Sequence, residues 1–268
     1  MTLDGIRLYR RYLEASVRSQ MQYRASFLMR ALGHFLVTGA EFLGFIALFG
    51  RFGQINGWTL PHMGLFYGMV SLAFAITEAV QRGFDLFPSL VKSGDFDRML
   101  VRPWSPAFQV FGQEFQLMRV GRLTQGLLVL LWSADRLKLP WSAANVTLVL
   151  MAVIGGVCLF SGLFVLQAAM CFWTTESLEI MNCTTYGGVE TAQFPVTIYR
   201  PWFRAIFTFV IPLATINYFP IQALLHLSDP LGSTRWIQWL SPLAGAAFLL
   251  VSLRFWRFGV RHYTSTGS

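Results

Sequence analysis

Charge is scarce in this chain: 13% of its 268 residues are Asp, Glu, Lys or Arg, against about 25% in an ordinary soluble domain. Lysine is nearly absent, with only Lys92 and Lys138, and neither follows a glycine. That excludes a GxxxxGK[ST] loop for cradling nucleotide phosphates. A GxSxG nucleophile elbow and an HExxH zinc helix are also missing. His34, His62, His226 and His262 stand at no ligand spacing. The three cysteines, Cys158, Cys171 and Cys183, form no CxxC pair, so neither a disulfide framework nor a zinc site is supported. No catalytic residue, metal or cofactor is expected in the chain itself.

What is abundant is apolar surface: 54% of the residues are hydrophobic and 16% aromatic. They fall in long runs at 27–50, 61–81, 108–132, 145–172, 203–220 and 238–258. A run of about 20 apolar residues spans a bilayer's hydrocarbon core, so the expected fold is an all-α integral membrane protein with six transmembrane helices. One permease-sized domain, 1–268, is expected, with the membrane helices in 25–258, a loop at 82–106 and a tail at 259–268. The third run is interrupted by Gln113, Glu114, Gln116, Arg119, Arg122 and Gln125, which leaves its start least defined. Residues 1–24 place Leu3, Ile6, Tyr9, Leu13 and Val17 at helical spacing among Arg7, Arg10, Arg11 and Arg18, the pattern of an interfacial amphipathic helix. This polar, basic start lacks a signal-peptide character, and the first run is expected to stay as an anchor.

The net charge of +8 sits at the borders of the apolar runs and forms no solvated basic face, which argues against nucleic acid. It reads as topology. With both termini cytoplasmic, the inner side holds most Arg residues, and the outer side keeps Arg51, Arg136, Lys138 and Arg235. The stretches 82–106 and 173–201 then fall on the cytoplasmic face, with a shorter outer segment at 221–237.

Ionisable groups inside a span are costly and avoid lipid. Arg30, His34 and Glu41 lie within about 40° of one another around a helix, with Thr38 nearby. They line a substrate route or make an interhelical contact, with Arg30 snorkelling. Glu78 and Arg82 have i,i+4 spacing and read as a structural pair. Gly64 and Gly68, with Gly155, Gly156 and Gly162, suit close helix packing.

The loop from Gln81 to Pro106 carries two short amphipathic turns. Leu86, Phe87, Leu90 and Val91 form the first, Gly94 breaks it, and Asp95 caps a second that carries Phe96, Met99 and Leu100. Arg102-Pro103 and Ser105-Pro106 end the element. By pattern it is either a docking piece or an interfacial loop.

The run Ser93-Gly94-Asp95-Phe96-Asp97-Arg98-Met99-Leu100-Val101-Arg102-Pro103, together with Phe194-Pro195-Val196-Thr197-Ile198-Tyr199, Ile211-Pro212 and Asn217-Tyr218-Phe219-Pro220, resembles the permease subunits of ABC exporters of the second type, which include daunorubicin-type drug export permeases. The resemblance covers nearly the whole chain in order and span count. It implies a multi-pass subunit of the bacterial inner membrane, paired with a second permease copy or homologue and with a separate cytoplasmic ATPase that holds ATP and magnesium. It further implies efflux of a hydrophobic or amphipathic substrate by alternating access. Asp85 to Leu100 would then be a coupling helix between spans two and three, with Leu86, Phe87 and Leu90 filling an ATPase groove and Lys92, Asp95, Asp97 and Arg98 at its rim. Pro212, Asn217 and Pro220 would belong to an outer gate. The alternative is an ion-coupled secondary transporter or channel using the stripe on span one. No feature names the cargo.

Overall fold

The computed structural model describes residues 3–174, 179–227 and 229–264. An amphipathic α1 (Leu3–Met21) turns directly into α2 (Arg24–Phe52). At its far end Gly53 takes a φ of 71° and returns its N–H to the Phe49 carbonyl at 2.8 Å, a conformation a β-carbon disfavours. Asn56 (φ 50°) and Gly57 (φ 83°) make the turn of a small antiparallel hairpin, β1 (Gln54–Ile55) with β2 (Trp58–Thr59). Two positive φ values are what a type I′ turn requires. This hairpin is the one departure from an all-α chain among the described residues. The Thr59 N–H then donates to the His62 ring at 3.2 Å, and Pro61 sits in the first turn, where no N–H is needed. Helix α3 (Leu60–Val80) therefore starts sharply, and His62 is a capping residue.

Four short helices follow: α4 (Arg82–Asp85), α5 (Phe87–Lys92), α6 (Asp95–Leu100) and α7 (Pro106–Phe111). A 3₁₀ turn at Leu117–Arg119 leads into α8 (Val120–Arg136), and then come α9 (Ala143–Thr174) and α10 (Glu179–Ala192). Helix α11 (Pro201–Ala205) continues as a π-helix, Ile206–Val210. A 3₁₀ turn at Leu213–Thr215, α12 (Tyr218–Leu225), α13 (Arg235–Leu240) and α14 (Leu243–Arg261) complete the order.

Helices α2, α3, α9 and α14 are each long and apolar enough to cross a bilayer, and the segments Pro201–Val210 and Leu213–Leu225, bent by 71°, make a fifth candidate. The architecture is that of an all-α membrane protein. Helix α8, at 17 residues, rises about 26 Å, short of a hydrocarbon core of about 30 Å.

Helix α3 is buried along almost its whole length and organises the bundle. A β-carbon at Gly68 would fall 2.7 Å from the Leu130 side chain, and one at Gly245 would fall 2.8 Å from the Gly155 carbonyl carbon. Only glycine permits α8 to sit this close to α3, and α14 to α9. Phe74 fills the space towards α9, edge-on to Phe160 at 5.2 Å. A polar pin joins three helices: the Tyr67 hydroxyl lies 2.8 Å from the Thr38 carbonyl and 2.9 Å from the Gln125 side chain. A hydroxyl has one proton, so both contacts are satisfied with Gln125 turned to donate its amide N–H.

The bundle has two distinct ends. Helices α4 to α7 gather at one, beside Phe172 near the end of α9; the β-hairpin, α12 and the start of α9 gather at the other. Helix α10 runs antiparallel to α9: Asn182 contacts Gln167 at 3.2 Å, Tyr186 meets Phe164 at 6.4 Å, and the Asn217 amide donates to the Ala192 carbonyl. Beyond it, Phe194 stacks on Phe45 at 5.0 Å. Within the stretch 173–201 the chain is thus no plain connection, because α10 folds back along α9 towards the other end of the bundle. The apolar run 203–220 is likewise no straight rod, since Pro212 lacks the N–H that would continue the helix.

Replacing Gly245 with Leu is expected to cost about 1–3 kcal/mol by overpacking and to lower the melting temperature in detergent. Gly33→Ala, whose β-carbon would meet nothing within 4 Å, should leave it level or slightly raised. A Gly245→Leu protein that melts with the wild type would contradict the close α9–α14 contact.

Candidate functional site

The loop between α3 and α8 is built from its aromatic side chains inwards. Gly94, at φ 72°, separates α5 from α6 and turns their apolar faces onto one another. Phe87 packs edge-on against Phe96 at 4.9 Å and against Trp256 of α14 at 4.8 Å. Trp256 also meets Phe172 of α9 at 5.0 Å and Phe84 of α4 at 5.3 Å, and Phe96 meets Tyr263 at 5.1 Å. Each such pair adds about 0.5–1.5 kcal/mol beyond its burial. Burial first, and then the Asp97 carboxylate beside it, push the Tyr263 phenol up to about 12. The loop is thus fastened to the last turns of α9 and α14.

That packing corrects one expectation. Phe87 is fully buried and Leu90 is 7% exposed, so neither projects outward to fill a partner's groove; both complete the chain's own core. The exposed rim includes Leu86, Lys92, Arg98, Leu100 and Val101. Asp95 accepts from the Ser93 hydroxyl at 2.8 Å and pairs with Arg98 at 3.3 Å, a solvent-exposed pair of small energetic weight. Asp85 is half-buried, paired with Arg82 and within 3.4 Å of the Tyr186 hydroxyl.

Above the loop lies a charged cluster. Glu78, 3% exposed, pairs with Arg119 at 3.2 Å and with Arg122 at 4.0 Å, and the Arg122 guanidinium rests 5.0 Å from the centre of the Phe74 ring. The pairing of Glu78 with Arg82 expected from their spacing is not formed, since Arg82 turns to Asp85 instead. Two arginines answering one buried carboxylate keep it from being an uncompensated charge. His34 and Glu190 lie within electrostatic reach of Arg122, and Glu190 within reach of Glu41. One Glu41 carboxylate oxygen, Oε2, is buried without a hydrogen-bond partner. Arg30 leaves this group. It is exposed and lines a polar cavity of about 650 Å³ with Tyr12, Gln20 and Glu114. The three-residue stripe is therefore split between two surroundings.

Helix α1 is held to the start of α8 by a side-chain clamp. The Ser16 hydroxyl donates to the Phe115 carbonyl at 3.0 Å, and the Leu117 N–H donates to the Gln20 carbonyl oxygen at 3.0 Å. Tyr9 packs against Phe111 with tilted rings, their centres 5.3 Å apart.

At the other end, Pro212 follows the π-helix, Asn217 caps α12 by accepting from the Tyr218 N–H at 2.5 Å, and Pro220 is buried within α12. Asp229 accepts from the Tyr218 hydroxyl at 2.7 Å and from the Leu231 and Ser233 N–H groups at 3.0 and 3.1 Å. Desolvation alone would raise the Asp229 pKa. The hydrogen bonds from Ser233, Leu231 and Tyr218 outweigh it and hold the carboxyl below the ordinary aspartate value.

With this geometry in place, comparison with family models matches residues 35–267 to the ABC-2 family transporter protein model. The chain belongs to the ABC-2 transporter family. No curated protein and no solved structure gives a match. This ABC-2 chain is accordingly a multi-pass membrane transport permease, and the family match begins within α2, so α1 lies ahead of it while its clamp partners Phe115 and Leu117 lie within it. Several residues of the permease were not singled out from sequence. Arg119 and Arg122 were visible only as interruptions of the third run; their i,i+3 spacing on one helical face was the available signal. Gln125 was visible in the same way, and Glu190 and Tyr67 carried no signal, because their partners lie on distant helices.

Glu78→Gln leaves Arg119 and Arg122 without their carboxylate. A loss of about 3–5 kcal/mol is expected, read as a lowered melting temperature or loss of monodisperse protein. Asp229 makes its end of the permease pH-sensitive. Its folded pKa is depressed, so its contribution to stability is complete above the ordinary aspartate range and is lost as pH falls through the lowered folded value. Asp229→Asn should flatten that acid limb of a melting-temperature profile; an unchanged limb would remove Asp229 from it.

Proposed function

We propose that this ABC-2 permease is the membrane half of an ATP-driven exporter of the daunorubicin-type kind, in which a separate cytoplasmic ATPase docks on the loop at 82–106. The observation that carries the reading is the division of labour within that loop. Its inner face is locked to α9 and α14, while Leu86, Leu100 and Val101 stay exposed beside Lys92 and Arg98. An exposed apolar edge bordered by charge suits a protein partner. The rigid inner face would carry the ATPase's motion to two spans at once. Closure of the ATPases on ATP and magnesium would tilt α9 and α14 and shift access outward, with Pro212, Asn217 and Pro220 at the exit. Two permease copies, or this chain and a homologue, would enclose a path for a hydrophobic or amphipathic cargo.

Helices α2, α3, α9 and α14 are long and apolar enough to cross a bilayer; we read α8, lengthened by the 3₁₀ turn before it, and α10 as two further passes between the ends of the bundle. In this reading they are six crossings of a bacterial inner membrane, both termini are cytoplasmic, and Pro201–Leu225 is an outer re-entrant segment. The loop end carries Lys92, Arg98, Arg102, Arg257 and Arg261, in keeping with the cytoplasmic bias of basic residues.

One observation favours a second reading, an ion-coupled transporter: the unpartnered Glu41 oxygen near Glu190 and Arg122. Glu41→Gln would abolish transport driven by a proton gradient in that case and leave ATP-dependent export standing in the first.

The docking proposal predicts that Leu86→Asp with Val101→Asp abolishes co-purification of the P-loop ATPase at unchanged melting temperature. Phe87→Ala should lower the melting temperature as well, by the 3–5 kcal/mol of a buried aromatic truncation. Retained assembly with both rim aspartates would sink the proposal.

A further inference from the structure

A groove of about 530 Å³ runs between α7 and α14, within the range of about 300–1,000 Å³ typical of small-ligand sites. Leu249, Leu253 and Trp256 form one wall and Phe108 and Phe111 the other. Arg257 and Arg261 stand at the end of the groove where α14 finishes. They are one helical turn apart and therefore on one face. Both are exposed, and among the described residues no carboxylate lies within ion-pair distance of either. The groove is therefore mainly apolar, with Gln81 as a polar group in its lining, and doubly cationic at its mouth. That is the complement of an acyl chain joined to a phosphate. The exposed Ser105 hydroxyl at the same rim adds a neutral donor.

We propose that this groove binds an anionic phospholipid of the membrane, with the acyl chain along Leu249, Leu253 and Trp256 and the phosphate on Arg257 and Arg261. A basic pocket between membrane helices at the headgroup level is a recurrent form of anionic-lipid site. Two features favour this occupant over a second protein chain: the charge at the mouth has one sign, and the apolar part is a narrow trough bounded by helices on both sides. The lipid would join α7, which packs on α1 through Tyr9, to α14 beside Trp256. It would thus bear on the same aromatic cluster that fastens the loop. The inference rests on the membrane location of the chain and not on export.

The test is native mass spectrometry of the full-length chain in detergent, titrated with phosphatidylglycerol or phosphatidylcholine. The wild type should retain phosphatidylglycerol about 25-fold more tightly, the product of a roughly fivefold gain per arginine. Arg257→Gln with Arg261→Gln should erase the preference, and Arg257→Lys with Arg261→Lys should keep it. Leu253→Trp, which fills the trough, should weaken retention of both lipids. An undiminished preference in the double Gln protein would overturn the site. So would a Leu253→Trp protein that loses its oligomeric state while retaining lipid as before, since the groove would then be a face between copies.

Discussion

The packing of Trp256 against Phe84, Phe87 and Phe172 is the contact on which the loop-bearing end of this permease depends. It brings a loop of four short helices, none of them able to persist alone at such length, into one body with α9 and α14. Without the cluster, α4 to α7 would be a polar-faced strand of turns at the membrane edge. With it, a push on the loop is a push on two long helices. Close-packed interiors transmit displacement with little compression, which is the property a coupling element requires.

The membrane imposes the second constraint. Where helices approach as closely as α9 and α14 at Gly155 and Gly245, the gain comes from van der Waals contact, since lipid offers no hydrophobic drive between them. Buried polar side chains form interhelical pins such as Tyr67 with Gln125, and the ion group of Glu78, Arg119 and Arg122. Both devices sit around α3, the helix most completely removed from lipid. The same logic explains the broken segment at 201–225. A bent backbone with a π-turn is tolerated where the surrounding protein supplies partners, and the Asn217 amide and side-chain oxygen both find them.

Much of this was legible in the sequence. The apolar runs located α2, α3, α9 and α14, because a span's length and composition are local properties. Gly94 and Asp95 marked the break between α5 and α6 for the same reason. The direction of the loop's apolar face was not legible. Phe87 and Leu90 have the spacing of a docking edge, and only the arrival of Phe172 and Trp256 from distant positions turns that face inward. Glu78 shows the same limit: an i,i+4 neighbour was available in Arg82, but tertiary partners from the 3₁₀ turn at Leu117–Arg119 and from α8 displaced it. The stretch 173–201 read as polar connection because Glu179, Asn182, Thr185 and Glu190 dilute its hydrophobicity. In the folded chain Asn182 and Thr185 meet Gln167 of α9, a pairing no local window contains.

In the proposed coupling, the loop would act as a rigid extension of α9 and α14 whose outer rim receives the ATPase. Amide hydrogen exchange of the full-length permease, with and without its ATPase, measures this most directly. Residues 84–100 should exchange as slowly as the adjoining turns of α9 and α14 in the free chain, and added ATPase should protect the amides around Leu86, Leu100 and Val101 further. Rapid exchange throughout 84–100, unchanged by the ATPase, would contradict it.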